Sequence, residues 1–367
     1  MTARASAAPR FGVEEEFLLL DRVTGQPRDG AEALIRAIPD LRCEHEFFHS
    51  QVETATSVCE TAEVALDELT TFRRVASAAA HAEGLVLAGT GLPPVGGSQP
   101  GTVVAKQRYL DIDRTMRGMV SRYYSTGTHV HVEVPSRDAG VEVFARIAPW
   151  SPVLIALTAN SPIWLGGDSG YASWRFLSIQ QWPSSGYPPY FANANDYDRV
   201  VTDLVRAGAL LDPALVNWSI RLSDKYPTIE LRTADSQLTA EDAVVFALIV
   251  RALVARALRE REAGEPFERA QPDVLRGAHW IAARNGLADE LVHPFLGESR
   301  PAAEVVTALM DYVSGELDDA GDLAAVERFL TRRNDLQGPA QQQRAAWQAG
   351  GLGGLLELYH ASHSVAH

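Results

Sequence analysis

The chain has 367 residues, 46% hydrophobic and 22% charged, enough to bury a large core. Lys and Arg number 33 against 47 Asp and Glu, a formal charge of −14, which argues against nucleic-acid partners because those need a basic surface. Two cysteines, Cys43 and Cys59, form no CxxC and no metal spacing, which argues against a disulfide framework or zinc ribbon and fits reduced thiols in a cytoplasmic protein.

Residues 1–10 are rich in Ala and Ser and lack the apolar stretch of a signal peptide, so a disordered tail is expected there, with 11–367 as a single domain. Residues 11–21 read as a strand and 31–38 as a short helix. In the strand 51–58, Val52, Thr54, Thr56 and Val58 share one face at period two. An Ala-rich helix spans 61–82 and stops at Gly84. A strand at 85–88 runs into a Gly/Pro-rich loop, 89–101. Residues 106–124 read as helical and 128–134 as a strictly alternating strand. A buried helix or helix pair covers 143–159, broken near Pro149 and Pro152.

The stretch 165–195 is rich in Gly, Pro, Ser, Trp and Tyr, and a structureless loop of that length is usually functional. Its Tyr171, Trp174, Trp182, Tyr187 and Tyr190 are expected to cover a substrate and exclude water. Residues 197–207 are helical, and 216–222 and 229–233 form a hairpin. Thr239 opens a long helix, 240–261, with Asp242 in capping-box position; everything after it reads as helical. The longest apolar run, 243–253, is interrupted by Arg251 and too short to span a bilayer, so no membrane association is expected. Strands before residue 235 and helices after it predict an α+β protein: one mostly antiparallel sheet with helices on its outer face.

The strands carry unusual polar faces. Successive strand residues point to opposite faces, so Glu14 and Glu16 share one face, and Glu53 stands opposite the Val/Thr face of its strand. His129, His131 and Glu133 oppose Val130, Val132 and Val134. Asn217, Ser219 and Arg221 oppose Val216, Trp218 and Ile220, and Glu230 and Arg232 oppose Ile229 and Leu231. Carboxylates gathered on one face repel unless cations intervene. Hard oxygen ligands with an occasional imidazole suit magnesium or manganese better than zinc, and the arginines suit phosphate or carboxylate. Each piece also has an ordinary reading: Glu14-Glu15-Glu16 as a solvated acidic run, Glu230 with Arg232 as a surface ion pair.

In order along the chain, Phe11-Gly-Val-Glu-Glu-Glu-Phe17, Gln51-Val-Glu-Thr-Ala-Thr56, Gly127-Thr-His-Val-His-Val132, Ala159-Asn-Ser-Pro162, Tyr171-Ala-Ser-Trp-Arg175, Trp218-Ser-Ile-Arg221 and Thr228-Ile-Glu-Leu-Arg232 with Asp235 resemble the glutamate–cysteine ligase type 2 family. Gly338-Pro-Ala-Gln-Gln-Gln-Arg344 resembles a motif near that family's end. The resemblance implies a glutamine-synthetase-like fold, in which a curved antiparallel sheet forms a funnel that takes ATP at one end, with Mg2+ (or Mn2+) between the phosphates and the sheet. It makes Glu14, Glu16, Glu53, His129 and Glu230 metal ligands. Arg221 and Arg232 would hold phosphates or an acyl phosphate, His131 would sit behind the metal ligands or face substrate, and Ser173 and Arg175 would line the amino-acid side. Where many members carry a second acid four residues before the Glu53 position, this chain has His49, an alternative metal ligand with less charge.

The reaction so implied joins a carboxylate, glutamate's γ-carboxylate for the family's namesake, to cysteine or another amine through an acyl phosphate. The partners are then small molecules, with homo-oligomerisation left open. Two other readings stand beside it: a metal-dependent amide hydrolase, which would want mainly histidine ligands and an open metal position, and a non-catalytic nucleotide-binding relative.

Overall fold

The computed structural model describes residues 8–97, 99–336 and 338–363. Of the expected disordered tail, residues 1–7 lie outside that set, while Arg10 is held by Glu133 through hydrogen bonds of 3.0 and 2.8 Å. The long first strand, β1 (Phe11–Asp21), organises a seven-stranded sheet. Its companions are β2 (Glu44–His45), β3 (Gln51–Ala55), β4 (Leu85–Ala88) and β5 (Gly127–Glu133). Two small strands, β6 (Ile163–Trp164) and β7 (Gly167–Asp168), form a separate hairpin before β8 (Ile220–Leu222) and β9 (Thr228–Asp235) complete the main sheet. The main sheet runs β2-β3-β1-β5-β9-β8, with β4 also on β1, and every pairing is antiparallel.

Register explains the shape. Leu18 pairs with both Gln51 and Ala88, and Glu14 with both Ala55 and His129, so β3 holds one edge of β1 while β5 and β4 share the other. Between β5 and β4 the edge of β1 parts at Glu16. There the Gly127 N–H donates to Glu16 Oε2 at 2.7 Å, and Ser236 Oγ donates to the Glu16 carbonyl at 2.5 Å. A carboxylate therefore sits in the split, where a backbone ladder would otherwise run.

The opposite face of the sheet is apolar and helix-covered. Helix Ala240–Glu262 begins with the expected reciprocal capping box between Thr239 and Asp242 and lies against β1 and β5. It is buried nearly all round from Ala243 to Val254, which is why its sequence lacks an amphipathic period. Helix Ala62–Ala82 packs on β1 and β4 and ends where Gly84 takes φ +71°, a conformation an L side chain resists. Each fully buried Val, Leu, Ile or Phe in this layer contributes roughly 1.5–3 kcal/mol.

Some boundaries differ from the pattern. The helix expected at 143 starts at Arg137, because Ser136 caps it by accepting from the Ala139 N–H at 3.1 Å. It continues through a 3-10 turn into Ser151–Thr158, since proline is tolerated in a first helical turn. This 137–158 stretch is long and apolar enough to cross a membrane, but 83% of its most apolar 18-residue window is buried inside the protein. The C-terminal part is not wholly helical: β10 (Glu290–Val292) and β11 (Ser299–Pro301) form a hairpin. Cys43 and Cys59 are buried free thiols.

Candidate active site

Alternation on β1 separates the three consecutive acids. Glu15 turns into the core, where Arg73 Nε donates to it at 2.9 Å and the same guanidinium reaches the carbonyls of Gln237 and Leu238 at 3.0 and 2.9 Å. Burial pushes Glu15 up and Arg73 opposes that shift. Glu15 is thus a structural ion pair, and the notion of a solvated acidic run fails here. Glu14 and Glu16 face the other way, into a cavity of about 450 Å³.

Strand pairing then assembles the rest. Glu53 stands opposite Glu16, His129 opposite Glu14, and both His131 and Arg221 opposite Glu230. An irregularity between Thr128 and Val130 shifts the β5–β9 register at His129. Two groups result, each with ligand atoms all within 4.8 Å of one another: Glu14, His131 and Glu230, and Glu16, Glu46 and Glu53. His129 lies between them. Its Nδ1 is 3.6 Å from Glu14 and 3.9 Å from Glu230, and its Nε2 is 3.7 Å from Glu16. His131 Nε2 is 3.3 Å from Glu14 and 3.9 Å from Glu230.

These groups differ in charge balance. Burial works to raise Glu14, but the imidazoles of His129 and His131 beside it outweigh that and hold Glu14 low. Burial likewise works against Glu230, and Arg232 and Arg221 outweigh it. In the second group burial pushes Glu46 up to about 7, aided by Glu16, and pushes Glu53 well up, aided by Glu46, Glu14 and Glu16. Burial and then Arg232 depress His129 to about 4, so it is neutral and able to ligate. His129 Nδ1 and His131 Nε2 are buried without a hydrogen-bond partner. Orphaned imidazole nitrogens beside crowded carboxylates are the donor set that a divalent cation satisfies.

Sequence reasoning missed Glu46 and named His49 in its place. The His49 ring packs edge-on against His45, with centroids 5.4 Å apart, and lies in neither acid group nor the cavity wall. Its backbone ties down a loop instead, accepting from the N–H groups of Gly30 and Ala31 and donating to Thr102. Two of the other expected residues also do different work. Arg221 donates Nε and Nη2 to Glu230 at 2.7 and 3.1 Å and Nη1 to the carbonyls of Ala214 and Val216 at 2.9 Å, so it clamps the strand end and has little left for phosphate. Ser173 caps helix Trp174–Ile179 and donates to Asp235 at 2.9 Å, away from the cavity. Arg232, by contrast, spends only Nη1 on Glu230 and lines the cavity beside both acid groups. Arg175 lines it too. Its Nε donates to Ser125 at 2.9 Å, and its Nη1 makes no hydrogen bond but pairs with the buried Asp235 carboxylate at 3.8 Å.

The profile of glutamate-cysteine ligase family 2 matches residues 10–356 of this chain. The chain belongs to that family. With that family, it is an ATP-dependent ligase. A Saccharopolyspora erythraea relative that carries the provisional name glutamate–cysteine ligase 2-2 is 40% identical over 348 residues, covering 93% of this chain and 89% of that protein. A Mycolicibacterium smegmatis relative, provisionally glutamate–cysteine ligase 2-3, is 39% identical over 346 residues, covering 93% and 94%. Among solved structures, the Francisella tularensis glutamate–cysteine ligase in complex with AMP matches with a TM-score of 0.72 at 14% identity, over 98% of this chain and 89% of that one. A bifunctional glutathione synthetase from Pasteurella multocida matches with a TM-score of 0.71 at 14% identity, over 97% of this chain and 52% of that one. The fold is therefore the α+β antiparallel-sheet design expected from the family.

Several family-like motifs meet behind the cavity and brace it. Asp235 accepts from the Asn160 N–H, Ser161 and Ser173 at 2.7, 2.7 and 2.9 Å. Gln343, from the motif near the end, donates to Asn160 Oδ1 at 2.6 Å and accepts from Tyr359 at 2.8 Å. A Cβ at Gly127 would fall on the Arg175 guanidinium and close on the Ala234 carbonyl, so the backbone and Arg175 approach closely there.

The 165–195 stretch departs from the expected lid. It holds β7, helix Trp174–Ile179 and several turns, and it sends only Arg175, Ile179 and Trp182 into the cavity. Tyr187 hydrogen-bonds the Phe144 carbonyl at 2.6 Å, Tyr190 lies under Arg269, and Tyr171 stacks edge-on with Trp174 and Trp280. Of the five aromatics only Trp182 lines this cavity, while Tyr187 and Tyr190 line a separate cavity of about 910 Å³.

Proposed function

We propose that this cavity transfers the γ-phosphoryl group of ATP to a carboxylate, that of glutamate by analogy with the family's namesake, and then joins the acyl group to an amine. The observation that carries the reading is the pair of ligand groups, Glu14–His131–Glu230 and Glu16–Glu46–Glu53, flanking His129 on one sheet face beside Arg232. A carboxylate resists attack because its leaving group is oxide; phosphorylation replaces that with phosphate. Divalent cations held by the two groups would neutralise phosphate oxygens and fix in-line geometry.

The chain's own residues have assignable tasks. Arg232, with Nε and Nη2 uncommitted, stabilises charge on the transferring phosphoryl group. Glu230 is fixed by Arg221 from one side and Arg232 from the other, so this ligand is rigid before any substrate arrives. Arg175 takes a substrate carboxylate. A smaller cavity of about 260 Å³ adjoins the first group through Glu14 and His131 and is lined by Val13, Ala55, Val58, Tyr226 and Pro227. Its mainly apolar lining suits a nucleotide base, with the phosphates then directed at Glu14 and Glu230.

The test is phosphate release from ATP with glutamate and a panel of amines, with MgCl2 and with EDTA. Release that needs ATP, metal, glutamate and amine together supports the reading. Hydrolysis of an amide without ATP, or nucleotide binding without turnover on any amine, would overturn it.

A further inference from the structure

The separate cavity of about 910 Å³ shares no lining residue with the active one and has no task in the reaction. Its size is that of a small-molecule site. It lies among the helices Arg137–Ile147, Trp174–Ile179 and Pro272–Asn285 and the segment 185–191. Phe144, Phe176, Tyr187, Phe191 and Trp218 give it an aromatic wall.

Two features select among aromatic ligands. The first is charge. Although the chain carries a formal charge of −14, no Asp or Glu stands among the described residues that line this cavity, whereas Arg269 and Arg276 do. Arg276 is paired with Asp273. Arg269 is exposed, lies over the ring of Tyr190, and makes no hydrogen bond or ion pair among the described residues. A guanidinium with its donors unspent, propped on a ring face, suits a carboxylate.

The second is an imidazole. His279 lines the cavity and is only 2% exposed. Ser151 Oγ donates to the Ala148 carbonyl at 2.6 Å, so the proton in its 2.7 Å bond to His279 Nε2 comes from the ring. Burial pushes His279 down to about 3, which keeps the ring neutral. Nδ1 is then a bare acceptor, with no hydrogen-bond partner among the described residues. A ligand O–H or N–H would satisfy it.

The cavity also backs onto the active site. Phe176 and Leu177 line it, while Arg175 and Ile179 of the same helix line the active cavity. On its wall, the Gly186 carbonyl accepts from the Ser219 N–H at 2.8 Å, and the Ser219 carbonyl accepts from the Arg232 N–H at 2.9 Å. A ligand packed against Phe176 and Leu177 restricts the helix that carries Arg175.

We infer that this cavity is an effector site for an aromatic carboxylate that carries an O–H or N–H donor. The ring lies among the aromatic side chains, the donor meets His279 Nδ1 and the carboxylate meets Arg269. Occupancy fixes Arg175 and so tightens the hold on the acyl donor. That last step rests on the ligase reading; the binding does not.

The probe is 4-hydroxyphenylacetate, and phenylacetate is the analogue without the donor. In calorimetry on the full chain the first should bind, and the second should bind ~10-fold more weakly, the order for leaving a buried acceptor unpaired. Either carboxylate can also enter the active cavity, so a variant must locate the site. Arg269 is exposed, so Arg269→Glu should fold, and by reversing the charge it should weaken 4-hydroxyphenylacetate ~10-fold. With ATP, magnesium and cysteine, a concentration that saturates the wild type should lower the KM for glutamate ~5-fold, within the ordinary range of coupling between two sites. The same concentration should do little to Arg269→Glu. No binding, equal binding of the two compounds, binding that survives Arg269→Glu, or a KM that does not fall overturns the inference and leaves the ligase reading standing. Absence of turnover with glutamate and every amine, beside binding that Arg269→Glu weakens, overturns the ligase reading and not the site; the affinity for glutamate by calorimetry then replaces the KM as the measure of coupling.

Discussion

The group Glu14–His131–Glu230 and the group Glu16–Glu46–Glu53 lie two residues apart along the same strand face, yet their charges are met by different means. The first is balanced by the protein itself: two arginines hold Glu230, and two imidazoles hold Glu14. The second gathers three carboxylates; Arg175 and Arg232 act on Glu16 and Arg232 on Glu46, yet burial and the neighbouring acids still push Glu53 well up. A site of the first kind is built before its ligand arrives. One of the second kind stores repulsion that only protons or a divalent cation relieve. The lesson is that sheet parity delivers acids to a face, and the neighbours on adjoining strands decide whether those acids are neutralised or left waiting.

The largest break in this comparison should come from Glu53→Gln. It keeps the shape and removes charge from the group that depends on a cation. Turnover should fall by ~10³-fold or more, roughly 4 kcal/mol. The melting temperature without metal should hold or rise, because repulsion falls. Activity within tenfold of wild type would mean that Glu53 is no ligand.

Arg232→Lys tests the first group. If Arg232 merely balances Glu230, lysine will serve. If it contacts the transferring phosphoryl group, lysine cannot reproduce the planar fork. The expected loss is ~100-fold in turnover, about 2.7 kcal/mol, with little change in ATP affinity, since the contact strengthens as phosphate transfers. Steady-state kinetics beside nucleotide titration decides it; equal losses in both would make Arg232 a binding residue only.

The third expectation sets the groups side by side through pH. Glu46 and Glu53 have raised values in the folded protein, so the stability they contribute is present below the ordinary carboxylate value and is lost as pH rises through their folded values, about 7 for Glu46. Glu14 and Glu230 are lowered, so their contribution is present above the ordinary value and is lost only in stronger acid. Metal-free protein should therefore melt ~4 °C lower at pH 8 than at pH 5.5, and magnesium should restore most of that at pH 8 and little at pH 5.5. Glu46→Gln should flatten the slope, whereas Glu14→Gln should not. A slope unchanged by Glu46→Gln would locate the repulsion elsewhere.

Much of this was legible in the chain. Period-two alternation placed β1, β3, β5 and β9 and turned Glu14, Glu16, Glu53, His129, His131 and Glu230 to one face. What alternation cannot give is which strand lies beside which, or what a side chain meets across the ladder. Glu15 and Arg73 are 58 residues apart, so nothing local distinguished a core ion pair from a solvated run. Arg221 looked like a phosphate clamp until the carbonyls of Ala214 and Val216 took up its donors. The aromatics of 165–195 looked like a lid because composition carries no direction.

The smallest effect, and the sharpest check on that lesson, belongs to His49. Counting back four residues from Glu53 leads to position 49, whereas the acid that reaches the second group is Glu46. The reason lies in pairing. Glu44 stands directly opposite Glu53 across β2 and β3, and Glu46, two residues on, keeps the parity of Glu44 as the chain leaves the strand. His49 differs from Glu46 by three residues, an odd number, and sits in a turn where its ring meets His45. His49→Ala should therefore leave turnover and metal affinity within about twofold. It should cost at most ~1 kcal/mol of stability, because its backbone bonds to Gly30, Ala31 and Thr102 survive the change. Glu46→Gln, three residues away, should weaken magnesium binding by tenfold or more, in line with loss of one charged ligand. Metal titration of the two variants side by side separates the assignments. Should His49→Ala lose metal affinity and Glu46→Gln keep it, the second group would have to be redrawn around the imidazole, and the repulsion argued for Glu46 and Glu53 would lose its functional meaning.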